Sequence, residues 1–159
     1  MIRLIAGIDR QRGIAKKGNQ PWNIPADLAD LRQKTLQYGG QVLMGQRTYD
    51  TIGHPLADRQ TFVLSHDTKD IPGITFVNNL DEFLAGLNGD LWVFGGASVF
   101  EQTIGRADEL YLTEIEADFG CDQFFPEYHD KFEIAERSNL HEQNGFIYTF
   151  NRYIPKSSH

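Results

Sequence analysis

The sequence predicts an α/β fold: one central mixed sheet of about eight strands flanked by about four helices. Short apolar runs alternate with helix-like segments over the first two thirds of the chain. Over the last third, residues 109–117, 132–137 and 146–153 alternate in strand fashion with no helix between them, which suggests antiparallel strands closing the sheet. No repeat, low-complexity block or linker-like stretch interrupts the 159 residues, so the expectation is one domain spanning 1–159.

Each element has a local reason. Ile2–Ile8 is mostly apolar and suits a buried strand. Residues 9–23 form a long polar loop with Gly13, Gly18 and Pro21, and loops of that length tend to carry function. Pro25 fits the first position of a helix that fades by Gly39 and Gly40. Gln41–Gly45 reads as a buried strand, and 47–52 as a short helix stopped by Gly53. Residues 61–65 and Ile74–Val77 are further strands, and Asn79 with Glu82 is a capping pair for a helix through Leu87. The run 91–94 is a strand that enters Gly95 and Gly96 directly, followed by a short helix to Ile104. The tail 156–159 reads as a frayed end.

Composition narrows the function. Hydrophobic residues are 40% and charged residues 23%, so a single core forms without staples. The formal net charge of −7 argues against nucleic acid and membrane surfaces as partners, while leaving room for an anionic small molecule met by a local basic cluster. Cys121 is the single cysteine, so no internal disulfide and no thiolate-based metal site is expected. The apolar start 1–7 is too short for a signal peptide. A soluble cytoplasmic protein is the expectation.

Several residues invite chemistry. On a helix begun at Pro25, Asp27 shares a side with Leu31 and borders Leu28. It is either a helix-start acid favoured by the macrodipole or a buried anion awaiting a ligand. Gly95 and Gly96, between a strand and a helix, make either a tight turn or a backbone approach to a pyrophosphate, although the full GxGxxG pattern is absent. Gly45, Gln46, Arg47 and Thr48 occupy a second strand-to-helix junction, and a third strand ends at Ser65 and His66. Arg47 and His66 are either solvated side chains or a phosphate clamp. Arg59, Thr113 and Trp22 have ordinary readings as a loop arginine, a strand threonine and a loop anchor. Three strand ends bearing glycine, hydroxyl or basic groups suit a ligand outside the carboxyl edge of an open sheet.

The run Pro21-Trp22-Asn23-Ile24-Pro25-Ala26-Asp27-Leu28 resembles the signature segment of dihydrofolate reductases. The resemblance continues through Met44-Gly45-Gln46-Arg47-Thr48-Tyr49, Ile52-Gly53-His54-Pro55-Leu56 and Arg59. It resumes at Val93-Phe94-Gly95-Gly96, at Tyr111-Leu112-Thr113, and from Asp122 to Phe125-Pro126, covering nearly the whole chain. It implies a dihydrofolate-reductase-like fold of the bacterial type and NADPH-dependent reduction of 7,8-dihydrofolate, with hydride delivered to C6 and a proton to N5.

The resemblance also implies roles. Asp27 would accept two hydrogen bonds from the pterin, Thr113 would hold that carboxylate, and Trp22 would hold a water near the pterin. Ile5, Ala6, Leu28, Leu31, Ile52 and Phe94 would line the substrate site, and Arg59 would pair with the α-carboxylate of the glutamate tail. Gly7, Ile14, Gly18, Asn19 and Gln20 would meet the nicotinamide and its ribose. Gly45, Gln46, Arg47 and Thr48 would face the cofactor phosphates, with Leu64, Ser65 and His66 completing the 2′-phosphate site. Gly95, Gly96, Ala97, Ser98, Val99, Phe100 and Gln102 would complete the pyrophosphate side, with a cis peptide between the two glycines. Dihydrofolate and antifolate inhibitors are the implied ligands; a monomer without metal, nucleic acid or membrane partner is the implied state.

The chain departs from the family pattern at Gln20, at Gln46 in place of a basic group, and at Cys121, with two extra residues around 39–41. A sister reductase acting on a ribosylated aminopyrimidine and a non-catalytic nucleotide-binding module are the rival readings. Asp27, Trp22 and Arg59 argue against the first, and a nucleotide-binding module would need no buried carboxylate beside its cofactor pocket.

Overall fold

Apolar runs with both faces covered form the middle of the sheet. In a computed structural model describing residues 1–67 and 69–157, β1 (Ile2–Ile8) lies between β6 (Leu91–Val93) and β7 (Glu109–Ile115), parallel to both. Next to β6 come β3 (Gln41–Gly45), β4 (Gln60–Leu64) and β5 (Ile74–Val77), all parallel. Leu4, Val42, Leu43, Met44, Leu91, Trp92, Val93 and Leu110 are fully buried, as central parallel strands require.

The other edge reverses direction. β11 (Phe146–Pro155) runs antiparallel to β7, and its outer side is shared by β10 (His141–Gln143) at one end and β9 (Phe132–Arg137) at the other. The sheet therefore has eight positions, as expected, filled by nine strands. The expectation of an antiparallel last third needs one correction: 109–115 belongs to the parallel part through β1, and only its pairing with β11 is antiparallel. A second correction concerns the long loop, which contains β2 (Gly13–Ala15) paired with β8 (Gln123–Phe124).

The helices obey their local signals. α1 (Pro25–Gln37) has proline in its first turn and gives way to Gly39 and Gly40 at φ 93° and 65°. α2 (Gln46–Ile52) follows β3 without a linker and stops at Gly53, whose left-handed φ of 81° lets its N–H reach the Tyr49 carbonyl at 2.7 Å. α3 (Leu80–Ala85) is capped by Asn79, whose Oδ1 accepts from the Glu82 N–H at 3.1 Å. It ends before Leu87, because Gly86 turns its N–H back to the Glu82 carbonyl. α4 (Ala97–Thr103) continues into a 3-10 turn, Ile104–Arg106.

Alternation along the strands sorts the core onto two faces. Leu4, Leu43, Val93 and Leu112 pack with Val99 and Phe100 of α4. Ile5, Val42, Met44 and Trp92 pack on the opposite face with Leu31, Ile52 and Phe94. A third cluster joins Trp22 and Ile24 to Ile115 and Tyr148. Of the expected frayed tail, residues 158 and 159 lie outside the described residues.

Candidate active site

The carboxyl ends of β1, β3, β4, β6 and β7 lie on one edge of the sheet, because these strands are parallel. Two groups of candidate residues collect there.

The first group surrounds Asp27. The first turn of α1 sets its carboxylate over β7, where the Thr113 hydroxyl donates to Oδ1 at 2.6 Å. β7 and β1 pair Thr113 with Gly7, so the strand beside it carries no side chain at that point. A Cβ on Gly7 would stand 3.3 Å from Asp27 Oδ2 and 3.2 Å from the Trp22 ring, so only glycine leaves the three groups their present approach. Trp22 is 6% exposed, and its indole Nε1 is buried with no hydrogen-bond partner among the described residues. Such a donor is costly to leave unpaired, which suits a site that takes a polar ligand or water.

Burial pushes the Asp27 carboxyl above the usual carboxylate range. The Thr113 hydrogen bond opposes that shift, Asp30 adds to it and Lys34 opposes it. Burial also raises the Tyr148 phenol, with the negative charge of Asp27 adding to the effect. Tyr148 is a neighbour the sequence reading missed. Its place in the strand pattern alone does not separate it from a core tyrosine.

Walls and ends follow. Ile5 is buried, Ala6, Leu31, Ile52 and Phe94 are half-buried, and Leu28 is exposed by 57%. Arg59 is fixed by the end of α1: its Nη1 donates to Thr35 Oγ1 and its Nε to the Ala57 carbonyl, both at 3.1 Å. Asp58 pairs instead with Arg32, leaving Arg59 unpaired with any carboxylate among the described residues.

The second group lines a cavity of about 780 Å3, within the range of small-molecule and cofactor sites. Ile14 and Gly18 come from the long loop; Gly45, Gln46, Arg47 and Thr48 from the β3–α2 junction; Leu64, Ser65 and His66 from the end of β4; and Gly96 from the cap of α4, with Ala97, Ser98, Val99 and Gln102 from the helix itself. Of the residues assigned to this site by sequence, Gly7, Asn19, Gln20, Gly95 and Phe100 are not in its lining. Gly7 lies at Asp27 instead, and Asn19 and Gln20 are exposed. Phe100 turns into the core against Phe125, and a Cβ on Gly95 would stand 2.7 Å from its ring. The Gly95–Gly96 peptide is cis.

The lining also holds Ala15, Asp50, Thr51, Asn78, Leu80 and Gln123. Helical spacing from Arg47 would have found Asp50 and Thr51. Gln123 arrives through the β2–β8 pairing, which two- and three-residue strands do not announce. The β3 and β6 ends are stitched by the Gly45 N–H donating to the Gly95 carbonyl at 2.8 Å. With Val99 only 3.1 Å from a would-be Gly45 Cβ, the backbone there is bare. Bare backbone, one arginine, one histidine and hydroxyls around a cavity of this size fit a phosphate-bearing dinucleotide.

The family model described as Dihydrofolate reductase matches residues 1–154. The chain belongs to the dihydrofolate reductase family. It is 33% identical over 159 residues to dihydrofolate reductase of Staphylococcus aureus strain Mu50, covering 98% of each chain, and equally to that of strain MSSA476. Among solved structures it is similar to dihydrofolate reductase from Enterococcus faecalis complexed with NADP(H) and RAB-propyl, at a TM-score of 0.87 and 29% identity, covering 99% and 97% of the two chains. The expected fold is thus the family's fold. Among the described residues no helix is long and apolar enough to cross a membrane, and no three His, Cys, Asp or Glu side chains gather as a metal site.

Proposed function

We propose that the chain works with Asp27 as its substrate-holding and proton-holding carboxylate, Thr113 and Trp22 as its supports, and the cavity beside α2 and α4 as its NADPH site. The activity is the family's: 7,8-dihydrofolate is reduced to 5,6,7,8-tetrahydrofolate with NADPH as the reductant. Bound NADPH supplies the hydride taken up at C6 of the substrate. The observation that carries the residue roles is the half-buried Asp27 carboxylate, seated on Thr113 beside the unpartnered Trp22 N–H.

Asp27 Oδ1 is already engaged by Thr113, which orients the carboxylate for the 2-amino and N3 hydrogens of the pterin. Burial keeps a proton on this group to higher pH than an ordinary carboxylate would, which suits a site that must deliver one to N5. Trp22 Nε1 would donate to a water relaying that proton. Ile5, Leu31, Ile52 and Phe94 exclude bulk water from the rings. Arg59 would take the glutamate carboxylate, its guanidinium already oriented by Thr35. Arg47, Ser65 and His66 would meet the 2′-phosphate of NADPH. Antifolates would compete for the Asp27 site. We read the chain as one domain working in the cytoplasm, a reading supported by its single cysteine.

The test is dihydrofolate-dependent NADPH oxidation by wild type and Asp27→Asn. Wild-type turnover with at least about a tenfold loss in the variant at neutral pH supports the assignment. Turnover within about threefold of wild type would remove Asp27 from the mechanism.

A further inference from the structure

Asp27 does not stand alone on its helix. Asp30 and Lys34 follow it at spacings of three and seven residues, which places all three on one face of α1. Lys34 Nζ donates to Asp30 Oδ2 at 2.7 Å, and both side chains are about a quarter exposed. The ammonium also lies over two rings of the sheet, 5.0 Å from the centroid of Tyr111 and 5.4 Å from that of Phe150. Those rings belong to the floor of the site: Tyr111 is two residues before Thr113 in β7, and Phe150 of β11 is directly paired with Thr113. Lys34 thus joins Asp30 on α1 to the strand pair that carries Thr113.

We propose that Asp30 and Lys34 act on the reaction through Asp27, Lys34 favouring its carboxylate and Asp30 opposing it, so that the pair sets the pH at which the site changes protonation. Neither residue has a role in the mechanism above, and the proposal rests on that mechanism's use of Asp27. The physical basis is Coulomb interaction in a half-buried region, where solvent screens less than in bulk water. Asp30 and Lys34 share the helix face of Asp27; from the elements packed against it, Thr113 of β7 donates to it, Trp22 of the loop before α1 meets it around Gly7, and its charge helps raise the Tyr148 phenol of β11. Of these only Asp30 and Lys34 carry opposite charges that can be removed one at a time. The proton balance is simple: each variant changes the pH at which Asp27 gives up its proton to water, and no other bond is altered.

The experiment is a carbon-13 titration of the Asp27 carboxyl in the ligand-free protein, paired with the pH profile of single-turnover dihydrofolate reduction. Lys34→Met should move the Asp27 midpoint upward by at least about half a pH unit, since it also leaves Asp30 unpaired. Asp30→Asn should move it downward by a similar amount, and the double variant should return close to wild type. The midpoint of the rate profile should follow in the same directions. Unmoved midpoints, or shifts of the same sign in both single variants, would overturn the proposal, because a merely structural pair gives no opposite signs. Asp27→Asn measured alongside separates the two levels: a retained pH-dependent rate there overturns the role of Asp27, whatever the titrations show.

Discussion

The Thr113 hydroxyl donates to Asp27 Oδ1 at 2.6 Å, tying the first turn of α1 to the seventh strand across 86 residues of sequence. A threonine on the sheet floor therefore orients the acid of the site. Thr113→Val keeps the shape and removes the donor. Asp27 then loses the contact that holds its proton affinity down, so its titration midpoint should rise and the high-pH limb of turnover should move with it. Stability should fall by about 1 kcal/mol, the usual worth of a hydrogen bond, read from denaturant titration. An unchanged rate profile would show that the hydroxyl does not tune the acid.

For Asp27→Asn the stability effect has a definite sign. Burial raises the carboxyl in the folded state, so the folded protein holds this proton where the unfolded chain releases it. Stability from this group falls as pH rises through that window. The asparagine variant lacks the penalty, and its melting temperature should gain on wild type as pH rises from about pH 4 through the raised Asp27 value. Parallel melting curves across that range would contradict the assignment of a half-buried, destabilising charge.

Asp9 behaves in the opposite way. It is 3% exposed, and its carboxylate accepts from the N–H groups of Gln11, Gly13 and Phe119. Burial works to raise this carboxyl, but these donors together with Cys121 outweigh it and hold the group below the usual range. Its stabilisation is present above the ordinary carboxylate range and lost as pH falls through its lowered value. Asp9→Ala should cost about 2 kcal/mol at neutral pH and less at about pH 3. Amide exchange at Gly13 and Phe119 should quicken in the variant, since their acceptor is gone.

The cofactor site makes a selectivity prediction. Arg47 is the one arginine lining the cavity among the described residues, and Gln46 beside it donates to Asp50 at 2.8 Å. Arg47→Ala should weaken NADPH by about tenfold or more, the scale of a hydrogen bond to a charged group, and NADH far less. Dissociation constants for both cofactors, measured by fluorescence quenching, decide it. Equal losses would mean that Arg47 does not read the 2′-phosphate.

Cys121 is half-buried, and its thiol is pushed up to about 11, first by burial and then by Asp9, Asp122 and Asp118. The thiolate is the reactive form, so alkylation by iodoacetamide should be slow at neutral pH and still rising near pH 10. A rate profile with its midpoint at about pH 8.5 would show an ordinary thiol.

Local chemistry was the legible part. The Asn79 cap, the Gly53 stop and the bare ends of β3 and β6 follow from a few adjacent residues, and the structure has them where the sequence predicts. The position of Asp27 opposite Thr113 came from the family resemblance rather than from spacing. What escaped depends on pairing at a distance. β2 and β8 are too short to show a period, yet they bring Gln123 to the cavity. Phe100 follows the glycine pair in sequence like a site residue, but the side of α4 it occupies sends it into the core.

The cofactor cavity draws its walls from six stretches between Ile14 and Gln123, none of which is adjacent to another in sequence. No fragment of the chain can hold this surface, and no partly folded state lacking β3, β4 or β6 can either. Cofactor affinity is therefore a reporter of completed assembly. During refolding, NADPH capture should lag behind helix formation and coincide with the last sheet pairing, and the cofactor should then lock the finished molecule by mass action.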